Sequence, residues 1–259
     1  MLTLLAIIQG ITEFLPVSST AHLIIIAKYF GNIYPGVHYL VVLHLGSMVA
    51  ILLYFWKDLW EIFKGWLSLF RGRITAYFRL SLIIVVATIP VMILGLFLFK
   101  IIEKPQNTPY VIGVNSVVFG ILLYVADLRK KVDKPLLNIT YLDAFLIGVA
   151  QAFALLPGAS RSGSCMMAAR ALGYSRMDST KFAFLLGIPA ILGASVLKLT
   201  DIQWGDPTVD IELFVYGSLI SFAVSYLVIV VMMRLLERIS FLPFALYRVL
   251  LGVILLVFF

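Results

Sequence analysis

Two of the apolar stretches in this chain are interrupted at their midpoints, and the interruptions limit the fold more than any other feature. Residues 2 to 30 and 139 to 172 read as hydrocarbon broken by a proline and a polar cluster, at Pro16 and at Pro157. A helix needs about 20 apolar residues to cross a bilayer, and each arm beside these prolines has only about a dozen. Such arms suit a re-entrant hairpin, because non-helical backbone is tolerated at membrane depth only where protein or a polar cavity surrounds it. Six other stretches, near 37–56, 80–99, 109–126, 182–199, 213–233 and 243–259, are long enough or nearly long enough for full crossings. With 62% hydrophobic and 13% charged residues in 259, the chain cannot hide its apolar surface in one soluble core. The expected fold is an all-α polytopic membrane protein.

Orientation follows from lysine and arginine. If the 57–79 connection is cytoplasmic, alternation puts fourteen basic residues inside: Lys57, Lys64, Arg71, Arg73, Arg79, Arg129, Lys130, Lys131, Lys134, Arg170, Arg176, Lys181, Arg234 and Arg238. Outside are Lys28, Lys100, Lys104 and Lys198, beside the acidic run Asp201, Asp206, Asp210 and Glu212. This is a positive-inside bias, with both termini outside in a plasma or inner membrane. The net charge of +7 is therefore read as anchoring to an anionic leaflet, not as a nucleic-acid surface. The single cysteine, Cys165, excludes an internal disulfide and a Cys-based zinc site. The first apolar stretch has no basic region before it and runs into Gln9 and Glu13, so it reads as membrane domain and not as a cleaved leader.

An internal repeat fits the same layout. Ala6-Ile7-Ile8-Gln9 followed by Phe14-Leu15-Pro16-Val17-Ser18-Ser19 resembles Gly148-Val149-Ala150-Gln151 followed by Leu155-Leu156-Pro157-Gly158-Ala159-Ser160. Thirty residues past each proline, Leu45-Gly46 matches Leu186-Gly187. Each half, about 1–134 and 135–259, then reads as one hairpin plus three spans. An odd number of spans inverts the second copy, and a site is expected where the two hairpin tips meet near the midplane.

The tips carry the chemistry. Ser18, Ser19 and Thr20 precede the helix bearing His22, and Gly158, Ser160 and Ser162 surround Arg161; polar loops before a helix start cradle anions, and arginine's fork suits phosphate. Capping alone would account for individual serines. A carboxylate, an imidazole and a guanidinium at membrane depth are costly, which makes Glu13, His22 and Arg161 a site by default. Phosphoryl transfer needs a nucleophile, a base and positive charge on the phosphate, and this set supplies all three. The sequence does not choose between Ser19, His22 and water as nucleophile. His38 and His44 read as packing or interfacial histidines, Arg248 has no assigned function, and the dispersed glycines read as helix contacts. A secondary transporter or lipid flippase, built on the same inverted repeat, is the rival function.

At these two segments the chain resembles the undecaprenyl-diphosphate phosphatase family of the bacitracin-resistance type, an antibiotic-resistance family. The resemblance rests on Gln9 to Glu13, on Phe14 to His22, and on Pro157 to Cys165. It implies hydrolysis of a polyprenyl diphosphate to the monophosphate and inorganic phosphate on the outer face, recycling the cell-wall lipid carrier. It also implies a divalent cation, Mg²⁺ or Ca²⁺, with Glu13 as its ligand. Glu13, Ser19, His22 and Arg161 would be catalytic, and Gln9, Ser18, Thr20, Gly158, Ser160 and Ser162 would hold substrate. Gln9 is the neutral option at the first position of its motif, Ala21 replaces a usual glycine, and Cys165 replaces a terminal threonine. The resemblance leaves open whether the protein is a homodimer.

Overall fold

The computed structural model describes residues 2–29, 36–101, 109–128, 134–199 and 210–258. Among them all extended regular structure is helical: α1 (Leu2–Thr12), α2 (Ser19–Tyr29), α3 (Gly36–Tyr54), α4 (Trp56–Leu69), α5 (Ala76–Ile101), α6 (Pro109–Asp127), α7 (Tyr141–Ala152), α8 (Arg161–Ala171), α9 (Arg176–Leu199), α10 (Ile211–Leu235) and α11 (Leu242–Phe258). Of the charges used for orientation, Lys104, Arg129, Lys130, Lys131, Asp201 and Asp206 lie outside the described residues, as do the side chains of Lys28 and Lys100.

The short arms behave as their length requires. α1, α2 and α8 have 11 residues each and α7 has 12, and each pair turns back at its proline. α5, α6, α9 and α10 are long and apolar enough to cross a bilayer, and α3 joins them as a bent pair with α4. α11, with 17 residues, lies at the short end of the crossing range. The 57–79 connection is not a plain loop: its first part is α4, bent 74° from α3. Trp56, Trp60, Phe63 and Leu67 recur at helical spacing and stay exposed, with Lys57 and Lys64 among them. That composition suits a helix lying in the headgroup layer. A Cβ on Gly65 would stand 2.8 Å from the Phe78 backbone nitrogen, so α4 rests directly on α5.

Small residues let the long helices approach, as packing without a hydrophobic driving force demands. A Cβ on Gly46 of α3 would stand 2.2 Å from the Ser218 carbonyl oxygen of α10, and one on Gly148 of α7 would stand 2.3 Å from the Ala87 carbonyl oxygen of α5. The Ser47 hydroxyl bridges those of Ser221 and Ser225 at 2.9 and 3.0 Å, satisfying buried polar groups across α3 and α10. α1 packs on α10 and α7 on α5, so the first arm of each hairpin rests on a helix of the other half; α3 lies beside α9, and α6 beside α11. At one end, Asp127 accepts from Arg170 at 3.1 Å, from Arg176 at 2.8 Å and from the Phe241 backbone N–H at 2.8 Å. That buried anion ties α6, α8, α9 and the start of α11 together.

Candidate active site

Each hairpin tip is built by one serine held in an unusual conformation. Ser18 and Ser160 have φ of 73° and 70°, a left-handed geometry that non-glycine residues adopt at a cost of about 1–3 kcal/mol and that clusters at functional sites. Each serine then caps the helix that follows: the Ala21 N–H donates to the Ser18 hydroxyl at 3.4 Å, and the Gly163 N–H to that of Ser160 at 3.2 Å. The first helical residue after each cap is Ser19 in one hairpin and Arg161 in the other.

Those two residues meet on Glu13. Its Oε1 accepts from the Arg161 guanidinium at 2.8 Å, and its Oε2 accepts from the Ser19 hydroxyl at 2.8 Å and from the Gln9 amide at 3.0 Å. Glu13 is 7% exposed, so the ion pair is desolvated, and removing either partner would strand a charge. The second arm of the Arg161 fork donates to the Ala183 carbonyl at 3.2 Å. A Cβ on Gly187 would fall 2.1 Å from Arg161, so this glycine leaves the groove in α9 that the guanidinium occupies. Behind the tips, Ser162 donates to the backbone carbonyls of Glu13 and Leu15 at 3.3 and 3.2 Å, stitching hairpin two to hairpin one.

The tips line a cavity of about 460 Å³, together with Leu40, His44, Gln151, Ile191 and Lys198. Glu13, Ser18, Ser19, Thr20, Gly158, Ser160 and Arg161 all contribute to its wall. Three expected site residues sit differently. Gln9 stands behind Glu13 as its amide donor, and the Ser162 hydroxyl is spent on backbone carbonyls. His22 does not face Glu13 across Ser19: its Nδ1 contacts the Ser18 carbonyl at 2.7 Å and its Nε2 the Tyr247 hydroxyl at 2.6 Å, with the two rings stacked. A helical turn carries His22 around to the α11 side, away from the carboxylate.

The imidazole beside the carboxylate belongs to His44, expected to be a packing residue. Its Nε2 lies 3.5 Å from Glu13 Oε2, while Nδ1 lies 2.7 Å from the Leu40 carbonyl oxygen. A carbonyl only accepts, so Nδ1 carries the proton and Nε2 is the nitrogen turned to the site. Arg248 also acquires a task. It is wholly buried and donates to the carbonyls of Pro16 at 3.3 Å, Gly158 at 2.8 Å and Ala159 at 2.8 Å, gripping both tips at once. No local pattern marks either residue in the sequence, because each reaches the site from a helix far along the chain.

Comparison with known proteins decides the family. The bacitracin resistance protein BacA family matches residues 2–254. The chain belongs to the BacA family. An undecaprenyl-diphosphatase of a Nocardioides strain is 43% identical over 253 residues, covering 96% of this chain and 92% of the relative. An undecaprenyl-diphosphatase of Alcanivorax borkumensis is 42% identical over 253 residues, covering 97% and 96%. In this BacA-family chain, among the described residues, no three of His, Cys, Asp and Glu cluster as a metal cage, and Glu13 is the one carboxylate on the cavity wall. A single carboxylate completed by substrate phosphate oxygens is how Mg²⁺ is usually held, so this donor set fits a cation brought with the substrate.

Proposed function

We propose that this chain hydrolyses undecaprenyl diphosphate to undecaprenyl monophosphate and inorganic phosphate, at a site opening to the outer leaflet of the plasma or inner membrane. The single observation that carries the reading is the junction of Ser19, Glu13 and Arg161, from two hairpins, on the wall of one cavity. Both curated relatives quoted above are named undecaprenyl-diphosphatase.

The diphosphate enters beside Arg161, which exchanges part of its contact with Glu13 for phosphate oxygens. Arg161, Ser160 and Thr20 hold the headgroup and draw charge from the terminal phosphorus. Ser19 Oγ attacks that phosphorus and Glu13, already its hydrogen-bond acceptor, takes the proton. The P–O bond to the lipid phosphate breaks, the monophosphate leaves, and water hydrolyses the phosphoserine to release orthophosphate. Glu13 would be the protein ligand of a divalent cation, which would supply charge neutralisation. His22, with both ring nitrogens engaged by Ser18 and Tyr247, positions the cap and α2.

Matching arm lengths, matching left-handed serines and the packing of each first arm on a helix from the other half of the chain support an inverted repeat as the frame of this site. Access from outside, with both termini outside, rests on the positive-inside charges together with Leu40, Ser195 and Lys198 on the cavity wall at the opposite end from α4. A carrier needs only to bind, whereas a hydroxyl donating to a buried carboxylate beside a guanidinium is the equipment of bond cleavage. Purified protein in detergent, given undecaprenyl diphosphate and Mg²⁺ or Ca²⁺, should release orthophosphate, and Ser19→Ala should not. Equal release by both would remove Ser19 as nucleophile.

A further inference from the structure

Hairpin two contains a buried amide to which the reaction above gives no task. Gln151, in the last turn of α7, is 0% exposed and contributes to the cavity wall. Among the described residues neither its Oε1 nor its Nε2 has a hydrogen-bond partner. Buried polar side chains are almost always paired, because an unpaired one forfeits its hydration without return. A carboxamide unpaired at both ends, on the wall of a cavity, is matched to what the cavity receives.

The repeat indicates what that is. Gln9 and Gln151 end the matching tetrads Ala6-Ile7-Ile8-Gln9 and Gly148-Val149-Ala150-Gln151. Gln9 donates to the Glu13 carboxylate one helical turn on, at 3.0 Å. One turn beyond Gln151 stands Leu155, with Ala154 before it. Hairpin two thus repeats the donor and omits the anion, while it adds the cation Arg161 to the same cavity. Leu155, Leu156 and Ile191 already give the cavity an apolar wall for hydrocarbon, and an amide adds nothing there.

We propose that Gln151 is a substrate-binding residue whose Nε2 donates to a non-bridging oxygen of the diphosphate headgroup, in the place that the Glu13 carboxylate takes beside Gln9. Oε1 accepts from water carried in with the headgroup. No bond forms or breaks at Gln151. The identity of the acceptor as a phosphate oxygen rests on the phosphatase reading; the need for an acceptor rests on the unpaired amide alone.

The test uses the full chain in detergent. Gln151→Leu keeps the volume and removes both polar ends, so its melting temperature should equal or exceed the wild type's, and Gln151→Met serves if Gln151→Leu does not fold. KM for undecaprenyl diphosphate should rise about tenfold, with kcat within about a factor of two, as expected for one lost hydrogen bond to a charged group. Gln151→Glu, which sets a carboxylate against the phosphate, should lower kcat/KM about a hundredfold. A methylene-bridged bisphosphonate analogue of the substrate should raise the melting temperature of the wild type more than that of the apolar variant at the same concentration. Wild-type KM and wild-type protection in the apolar variants would overturn the assignment. If the wild type releases no phosphate but the analogue protects it more than it protects Gln151→Leu, the Gln151 site stands and the phosphatase reading falls.

Discussion

Hairpin one and hairpin two share arm lengths and a turn serine and carry opposite chemistry. Both are pairs of helices of 11 or 12 residues, and both turn at a serine near φ of +70° that caps the second arm. Hairpin one then presents a carboxylate and a hydroxyl, and hairpin two a guanidinium and an amide unpaired among the described residues. The difference teaches that the two hairpins share a turn geometry and divide the charges. Neither hairpin could bury its ionised group alone at tolerable cost. Brought tip to tip, each neutralises the other, and the pair needs little rearrangement to accept an anion in place of one partner.

The comparison can be broken most severely at its shared ion pair. Glu13→Gln should lower phosphate release by about a thousandfold or more, because it removes the proton acceptor and strands Arg161. A double variant with Ser19→Ala should be little worse than either single change, since the two act as one unit; multiplying losses would separate them. On the other hairpin, Arg161→Lys keeps the charge and loses the fork, and should cost about a hundredfold in kcat/KM with the melting temperature nearly retained. Wild-type turnover would show that hairpin two does not touch phosphate. Gly187→Ala places a methyl where the guanidinium lies, and should cost about tenfold by moving Arg161 without altering any reacting group. The equivalent change in the first half, Gly46→Ala, meets the Ser218 backbone instead, so it should lower the melting temperature more than it lowers the kcat of the folded protein.

The smallest effect tests the tips themselves. Ser160→Ala should lose its cap and keep its strain, destabilising by about 1 kcal/mol in a denaturation series. Ser160→Gly should be close to neutral, because relief of the left-handed strain offsets the lost cap. Ser18→Ala and Ser18→Gly should behave the same way. A different ranking at the two serines would show that the tips are not equivalent.

Aligning the tips by sequence pairs Ser19 with Ser160, whereas the backbone pairs Ser18 with Ser160 and Ser19 with Arg161. Residue identity misleads here because the same cap residue is followed by different functional groups, and only φ reveals the register. α4 is masked in the sequence for another reason: its aromatic stripe at helical spacing lies within a charged connection, and an interfacial helix has no 20-residue apolar run to mark it. His22 and His44 show the limit most clearly. His22 lies within the recognisable motif yet turns to Tyr247, while His44 lies outside it and stands against Glu13.

The amino-acid sequence by itself determined that this chain is a helical membrane protein with two broken hairpins. Apolar run length, proline position and basic-residue placement are local properties that lipid reads directly. It also marked Glu13, Ser19 and Arg161, because ionised and hydroxyl groups at membrane depth stand out against hydrocarbon. Only the tertiary structure decided which imidazole meets the carboxylate, that Arg248 grips both tips through backbone carbonyls, and that the Gln151 amide lies on the cavity wall unpaired among the described residues. Those contacts join residues far apart in the chain. Helix packing sets them, and packing depends on how side chains from both halves fill space together, which no single stretch of sequence specifies.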